Sequence, residues 1–215
     1  MQMWSALRTS TFAISLFAVV CAAVIATTQV TTVDRIAQNE RAQKAKALYD
    51  IIPRSSIDND LLEDTIQIVA PRLQGHSNPV SVYRARKDGR VTAVILPLVA
   101  PDGYSGAITL IAGVYADGSV AGVRVLTHKE TPGLGDKVDI KKSNWIYNFN
   151  GLSKQGEKDS RWAVQKDGGD FDQFTGATIT PRAVVGAVSR ALDYFAQHRT
   201  ELLDLTADES VEVTN

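Results

Sequence analysis

The chain has very few residues of the kinds that bind metals or form disulfides. Its 215 residues include one cysteine and three histidines. Cys21 lies in an apolar stretch near the amino terminus, so the chain cannot by itself ligate an iron–sulfur cluster or build a disulfide framework. His76, His128 and His198 are scattered without the paired spacing of metal ligands. A redox function would therefore need an organic cofactor or haem.

An excess of one charge and the common nucleotide and hydrolase motifs are also absent. The 23 Lys and Arg residues nearly balance the 24 Asp and Glu residues, and no basic stripe appears, so there is no electrostatic reason to expect a nucleic-acid partner. The sequence has no Gly-Lys-Ser/Thr phosphate loop, no Gly-x-Gly-x-x-Gly, no Gly-x-Ser-x-Gly and no His-Glu-x-x-His. These absences argue against a familiar dinucleotide-binding fold and against a hydrolase.

One long uncharged run is present near the amino terminus. No charged residue occurs between Arg8 and Asp34, and as a helix this run would span about 37 Å, more than the roughly 30 Å of a bilayer core. A cleaved signal peptide is the alternative, but the run continues to Val33, beyond the usual length of a signal peptide's apolar region. We predict an uncleaved membrane anchor over residues 1–33 and an exposed juxtamembrane helix over residues 34–52.

Positive charges on both sides of the anchor do not define its orientation. Arg8 and the amino group precede it, whereas four basic residues follow it closely: Arg35, Arg41, Lys44 and Lys46. That count opposes export of the following domain, but the charge rule weakens when the domain is long.

Beyond the anchor, the hydrophobic pattern becomes that of β-strands. Residues 80–86 and 91–99 flank one Asp-Gly turn, and residues 108–115 and 120–127 flank another. Two such hairpins imply an antiparallel sheet with a face for helices to cover. We therefore predict an α+β domain over residues 53–206, a further strand at residues 162–165, and a loose acidic tail over residues 207–215.

The stretch Asp-Gln-Phe-Thr-Gly-Ala-Thr-Ile-Thr-Pro at residues 172–181 is a polar turn that leads into a helix. Apolar residues recur at helical spacing after Pro181, which predicts a helix that begins there with Thr180 as its N-cap. The amino end of a helix carries unpaired N–H groups and the positive end of the helix dipole, so this turn is a natural site for a phosphate. A turn that only caps the helix is the alternative.

Residues 172–178 resemble the acceptor motif of bacterial flavin transferases, Asp-x-x-(Ser/Thr)-Gly-Ala-Thr. In that motif FMN is esterified through its phosphate to the last threonine, which here is Thr178. The resemblance implies covalent FMN on Thr178, contacts from Thr175, Gly176 and Ala177, and recognition of Asp172 by the transferase.

A second motif, His-Lys-Glu-Thr-Pro-Gly-Leu-Gly at residues 128–135, follows a predicted strand as a loop. It combines a carboxylate, a hydroxyl, an apolar side chain and exposed backbone, the mixed lining that a planar ring with polar edges requires. By resemblance this loop borders the isoalloxazine ring. The candidate cofactor-binding residues are Glu130, Thr131, Leu134 and Gly135.

Three other residues are candidates that composition leaves ambiguous. Lys166 would neutralise the charge of the flavin or its phosphodiester, although a lysine before Asp-Gly-Gly also suits a solvated turn. Trp145 is interpreted as a core residue in preference to one that stacks on the flavin. Tyr104, in a Gly-Tyr-Ser-Gly loop that also matches the family pattern, is interpreted as a packing residue.

The two motifs and the membrane segment together resemble the G subunit of the Rnf electron-transport complex, related to the C subunit of the sodium-pumping NADH:quinone reductase. The resemblance implies a flavoprotein electron-relay subunit of an ion-translocating oxidoreductase of the ferredoxin and NAD class, with enzyme activity belonging to the complex. Implied partners are the other membrane subunits, a flavin transferase and the lipid bilayer. The implied location is the bacterial inner membrane, with the flavin domain on the periplasmic side. A membrane-anchored flavin-binding regulatory or sensory module and a flavin-free adhesin are the alternatives.

Overall fold

The structure is a computed structural model that describes residues 2–203. The predicted tail at residues 207–215 lies outside them. The chain divides into two compact units, one up to Lys44 and the other from Ala45 onward.

The first unit is a single helix that exposes apolar side chains. Helix α1 spans Gln2–Ile51, and its segment Thr11–Val33 is long and apolar enough to cross a membrane. The threonines in this segment satisfy their hydroxyls within the helix, since Thr27 and Thr28 donate to the carbonyls of Ala23 and Val24 at 2.7 and 2.8 Å. Such back-bonding removes the cost of a polar side chain in an apolar medium. The predicted amino-terminal apolar helix is confirmed.

The second unit is built on an antiparallel meander. Its strands are β1 Thr65–Ile68, β2 Val80–Lys87, β3 Arg90–Ala100, β4 Ile108–Tyr115 and β5 Val120–Thr127. They pair in the order β1-β2-β3-β4-β5, each antiparallel to its neighbour, and both predicted hairpins are present. Helix α2, Pro71–Gln74, lies between β1 and β2. Short 3₁₀ helices precede and follow the meander, at Arg54–Ser56, Gly135–Val138, Trp145–Phe149 and Gln165–Asp167. The predicted α+β class is confirmed.

The predicted strand at residues 162–165 is wrong. Val164 forms only an isolated bridge to Phe171, and a 3₁₀ helix begins at the next residue. The cause is a tight reversal, in which the backbone N–H of Gly169 donates to the carbonyl of Val164 at 3.1 Å. The alternating pattern was too short to reveal that the chain turns back immediately.

Both faces of the sheet are covered. Helix α3, Ile179–Leu203, buries an apolar stripe on one face against alternate residues of β3 and β4, which include Leu96, Leu98, Leu110 and Val114. The last turn of α1 covers the other face, where Leu48 and Ile51 pack with Ile95 and Ile111. The period of two along each strand therefore supplies two separate cores.

Candidate functional site

The predicted acceptor loop, residues 172–178, is held by a tight turn. The backbone N–H of Ala177 donates to the carbonyl of Phe174 at 3.0 Å, and Gly176 in the third turn position has a φ of 78°. A type II turn requires a positive φ there, which glycine adopts without strain. Phe174 is buried while Thr175 and Gly176 are exposed, so the turn carries its polar tip on the surface.

Helix α3 begins two residues earlier than predicted. It starts at Ile179, and the N–H of Arg182 donates to the carbonyl of Thr178 at 3.2 Å, so Thr178 occupies the N-cap position. The prediction that Thr180 is the N-cap is wrong. Thr180 is buried inside the first turn, and its hydroxyl donates instead to the Glu130 carboxylate.

This register leaves the Thr178 hydroxyl without a competing bond. An N-cap side chain normally accepts a hydrogen bond from the N–H of the second or third helical residue, and the third residue here is Pro181, which has no N–H. Across residues 2–203, no hydrogen bond engages the Thr178 hydroxyl or the N–H groups of Ile179 and Thr180. One hydroxyl and two backbone donors therefore stand together at the amino end of α3.

Trp145 contacts the start of the acceptor loop from the protein core. Its indole N–H donates to the carbonyl of Asp172 at 2.8 Å, and its ring packs edge-on against Phe174 at 5.3 Å between centroids. Trp145 is 8% exposed, which agrees with its interpretation as a core residue. The carboxylate of Asp172 is on the exposed side, so the backbone of this residue is fixed while its side chain faces solvent.

The second motif contacts the start of α3 through Glu130. This residue is 4% exposed; its Oε1 accepts from the N–H of Ser105 at 2.9 Å and its Oε2 from the Thr180 hydroxyl. The N–H of Glu130 in turn donates to Nδ1 of His128 at 3.2 Å. Glu130 thus connects three chain segments that are far apart in the sequence.

Two glycines make room for this carboxylate. A Cβ on Gly135 would lie 2.6 Å from Oε2 of Glu130 and 2.7 Å from the hydroxyl oxygen of Thr180. A Cβ on Gly103 would overlap the carbonyl oxygen of Gly106 and lie 3.0 Å from Oε1 of Glu130. Any side chain at either position would force these groups apart.

A cavity of about 340 Å³ opens between the two motifs. Its lining comes from both, together with one residue of the β3–β4 loop: Tyr104, Glu130, Thr131, Leu134, Gly135, Gly176, Ala177, Thr178, Ile179 and Thr180. The volume lies in the range of sites for small molecules and cofactors. Most of the predicted cofactor-binding residues therefore line one space.

Two predicted residues lie elsewhere. Thr175 is exposed at the tip of the turn, outside the cavity lining. Lys166 is exposed in the 3₁₀ helix, where its backbone N–H donates to the Gln173 side chain at 3.2 Å. Its neighbour Asp167 receives two hydrogen bonds from Arg182, at 2.5 and 2.8 Å, and these bonds hold the pKa of that carboxyl below its usual value. The Asp167–Arg182 ion pair thus joins residues that precede and follow the acceptor loop in the sequence.

Sequence reasoning did not assign two residues of the cavity rim. Tyr104 is 69% exposed rather than packed in the core, and Ile179 is 44% exposed. With Leu134, which is 43% exposed, they form an apolar rim around the opening. The Gly-Tyr-Ser-Gly loop carried a signal for Tyr104, whereas nothing in the sequence distinguished Ile179 from the apolar stripe of the helix.

Two family models match separate parts of the chain. Residues 103–193 match the family model of the FMN-binding domain, and residues 1–51 match the RnfG N-terminal region. The crystal structure of NqrC from Shewanella oneidensis superposes with a TM-score of 0.50 at 25% identity, over 69% of this chain and 72% of that one.

Curated relatives are similar over almost the whole length. The chain is 48% identical to the G subunit of the ion-translocating oxidoreductase complex of Shewanella loihica, over 93% of this chain and 94% of that protein. It is 50% identical to the protein of the same name from Pseudomonas aeruginosa, over 88% and 89%. The Vibrio cholerae protein of that name is 44% identical over 93% and 95%. With its FMN-binding domain and RnfG amino-terminal region, the chain belongs to the family of the G subunits of ion-translocating oxidoreductase complexes.

Proposed function

We propose that the protein is the membrane-anchored flavoprotein subunit that relays electrons in an ion-translocating oxidoreductase complex, with FMN bound covalently through a phosphoester to Thr178. The observation that carries the proposal is the cavity shared by the two motifs, with Thr178 among the residues that line it. FMN supplies the redox chemistry of such a site, because its ring accepts two electrons and releases them singly. The protein supplies position, hydrogen bonds and a limited access of water.

The arrangement around Thr178 supports attachment through the phosphate. A phosphodiester on its oxygen would carry one negative charge beside the N–H groups of Ile179 and Thr180 and at the positive end of the α3 dipole. Pro181 removes one of the two N–H donors that normally bind an N-cap side chain, and the other, on Thr180, makes no bond to the Thr178 oxygen within residues 2–203. These features stabilise the product and leave the acceptor hydroxyl free, and both favour Thr178 over the buried, hydrogen-bonded Thr180.

The rest of the cavity supports a planar aromatic ring. Leu134, Ile179 and Tyr104 offer apolar surface at the rim, and the glycines at positions 135 and 176 expose backbone. Glu130 and Thr131 add polar groups for the edges of the ring. A mixed lining of this kind is typical of cofactor sites, where a few polar groups fix the orientation of a largely apolar ligand.

The relatives' name supports a role within a larger assembly, and the apolar segment of α1 supports attachment to a bilayer. In the proposed assignment the other membrane subunits exchange electrons with the flavin, in a complex of the ferredoxin and NAD class. The domain after the anchor lies on the periplasmic side of the bacterial inner membrane, where covalent attachment prevents loss of the cofactor. Reversible reduction of the flavin inside the purified complex tests the relay role; a flavin that stays oxidised during turnover would refute it.

Topology has a separate test. A reporter that is active only in the periplasm, fused after Asn215, should be active, since a long domain overrides the basic residues that follow the anchor. A silent periplasmic reporter together with an active cytoplasmic one would place the domain on the other side of the membrane.

The attachment site is tested by mass spectrometry after expression with a flavin transferase. The peptide that contains Thr178 should be heavier by FMN less one water, and Thr178→Ala should lose both the adduct and the yellow colour. Its fold should be retained, since the Thr178 hydroxyl makes no hydrogen bond within residues 2–203. Thr180→Ser, which keeps the hydroxyl that donates to Glu130, is the matched control and should keep the adduct. An adduct on Thr175 or Thr180, or one that survives in Thr178→Ala, contradicts the assignment.

Recognition by the transferase is tested at Asp172. Its carbonyl holds Trp145, whereas its exposed carboxylate makes no hydrogen bond within the part of the chain that the structure describes. Asp172→Ala should therefore fold normally and carry little flavin. Full flavinylation of this variant would mean that the acidic position is incidental.

A further inference from the structure

Glu130 is a buried carboxylate in the wall of the cavity, and no basic side chain neutralises it. It is 4% exposed, and the ion pairs found within residues 2–203 do not include it. Buried carboxylates are usually paired with a cation, because removing an ionised group from water is costly. The surroundings of Glu130 must therefore meet that cost in another way.

The surroundings provide hydrogen-bond donors and a helix end. The N–H of Ser105 donates to one carboxylate oxygen at 2.9 Å, and the hydroxyl of Thr180 donates to the other. Thr180 lies in the first turn of α3, so the carboxylate is also close to the positive end of the helix dipole. Both donors are neutral groups, so neither cancels the charge of an ionised carboxylate.

The position is shaped for a group with two acceptor oxygens. Gly135 and Gly103 are the residues beside Oε2 and Oε1, and a Cβ at either site would press on those oxygens or on the backbone around them. A side chain needed only for packing would not require two neighbouring glycines and a donor on each oxygen. The charge is therefore a specific feature of this wall.

We propose that Glu130 is a fixed negative charge that lowers the reduction potential of the FMN in this cavity. The inference rests on the proposed function, since it needs a flavin in the space that Glu130 lines. Reduction adds electrons to the flavin ring, and a negative charge in the wall of its cavity, where the dielectric is low, would raise the free energy of the reduced form relative to the oxidised form. Glu130 would thus favour onward donation of electrons to the next carrier.

The test separates the charge from the hydrogen bonds. Glu130→Gln keeps the size of the side chain, its amide oxygen accepts from the N–H of Ser105, and its amide N–H donates to the Thr180 oxygen. The charge is lost, and the hydrogen bond between residues 130 and 180 reverses its direction, so that the Thr180 hydroxyl accepts instead of donating. Glu201→Gln is the matched control, because Glu201 is exposed near the other end of α3, roughly 30 Å along the helix from the cavity at about 1.5 Å per residue.

The measurement is a reductive titration with dithionite and redox dyes on the full chain in detergent, flavinylated by the transferase. Glu130→Gln should shift the midpoint potential to a more positive value, whereas Glu201→Gln should leave it unchanged. The midpoint potential of Glu130→Asp, which keeps the charge, should be lower than that of Glu130→Gln. An unchanged potential in a folded, fully flavinylated Glu130→Gln protein overturns the inference.

Two further outcomes are distinguishable. If the unmodified chain gains no FMN mass, the proposed function itself has failed, whatever the potentials are. If Glu130→Gln does not fold, the charge of Glu130 is tested instead by infrared difference spectra of the flavinylated wild-type protein with isotope-labelled glutamate. An ionised Glu130 gives a glutamate carboxylate band that responds to flavin reduction, and a protonated glutamic acid band in the oxidised protein overturns the inference.

Discussion

Gly135→Ala tests how the cavity is assembled. The added Cβ would lie 2.6 Å from Oε2 of Glu130 and 2.7 Å from the hydroxyl oxygen of Thr180, much closer than the roughly 3.5 Å of an optimal non-bonded contact. Because the backbone of Gly135 does not have a positive φ, the cost is one of space and not of conformation. Either the carboxylate or the threonine must move, which would disturb the hydrogen bond between them.

The expected magnitude follows from these two effects. Forcing extra atoms into a packed site costs about 1–3 kcal/mol, and loss of a hydrogen bond to a charged group costs about 1.5–3 kcal/mol. A total of about 2.5–6 kcal/mol corresponds to a fall in Tm of roughly 5–24 °C for a domain of this size. The flavin should also lose occupancy, since Glu130 and the first turn of α3 would no longer be held together.

The assay is thermal unfolding by circular dichroism in detergent, with the flavin content measured on the same samples. Gly186→Ala is the matched control: its Cβ would meet only the Arg190 guanidinium, at an ordinary 3.6 Å, and it lies inside α3. Alanine is favoured over glycine in a helix interior by about 0.5–1 kcal/mol, so this variant should unfold at the same or a higher temperature. If Gly135→Ala is as stable and as flavinylated as Gly186→Ala, the cavity is not held together by this contact.

Three other predictions test separate features. Burial would raise the pKa of the Asp64 carboxyl, but hydrogen bonds from two arginines of β2 lower that pKa below its usual value. The carboxylate therefore stabilises the fold above pH ~4, and this contribution is lost as the pH falls through the folded pKa. In urea titrations, the difference in unfolding free energy between wild type and Asp64→Asn should shrink on acidification. In Gly113→Ala the new Cβ would overlap Cγ2 of Ile51, which should lower the free energy of unfolding by about 1–3 kcal/mol. In a double-mutant cycle this loss should be smaller when residue 51 is alanine, that is, in the Ile51→Ala background. Pro181→Ala supplies an N–H for the Thr178 hydroxyl and should slow adduct formation about fivefold, equivalent to roughly 1 kcal/mol, in timed mass spectra; an unchanged rate would mean that this donor does not compete.

The sheet was predictable because its signals are local. Each predicted hairpin joins two runs of alternating residues through an Asp-Gly turn, and both hairpins have the expected strands. The strand predicted at residues 162–165 had an alternating pattern but no partner run, and the structure has an isolated bridge there. A strand needs a neighbour, and the sequence near Val164 supplied none.

The site was predictable only in part. Each motif marks a loop, but their meeting depends on contacts between residues 130 and 180, which no local pattern encodes. Lys166 shows the opposite error: it is close to the acceptor loop in the sequence, yet it lies on the exposed 3₁₀ helix outside the cavity lining. Proximity along the chain was therefore a poor guide to proximity in the site.

The start of α3 shows why three threonines within six residues could not be separated by type alone. Thr180 followed by proline has the composition of an N-cap, and the helix nevertheless begins at Ile179 because Thr180 has a stronger partner. Its hydroxyl donates to Glu130, an acceptor that lies 50 residues earlier in the chain. With this tertiary bond, Thr180 lies in the first turn and Thr178 takes the N-cap position. Pro181 is then the third helical residue, a position where any other residue would supply an N–H. Thr178, the residue that the motif marks for attachment, thereby keeps an oxygen that makes no hydrogen bond within residues 2–203, whereas the Thr180 oxygen is engaged.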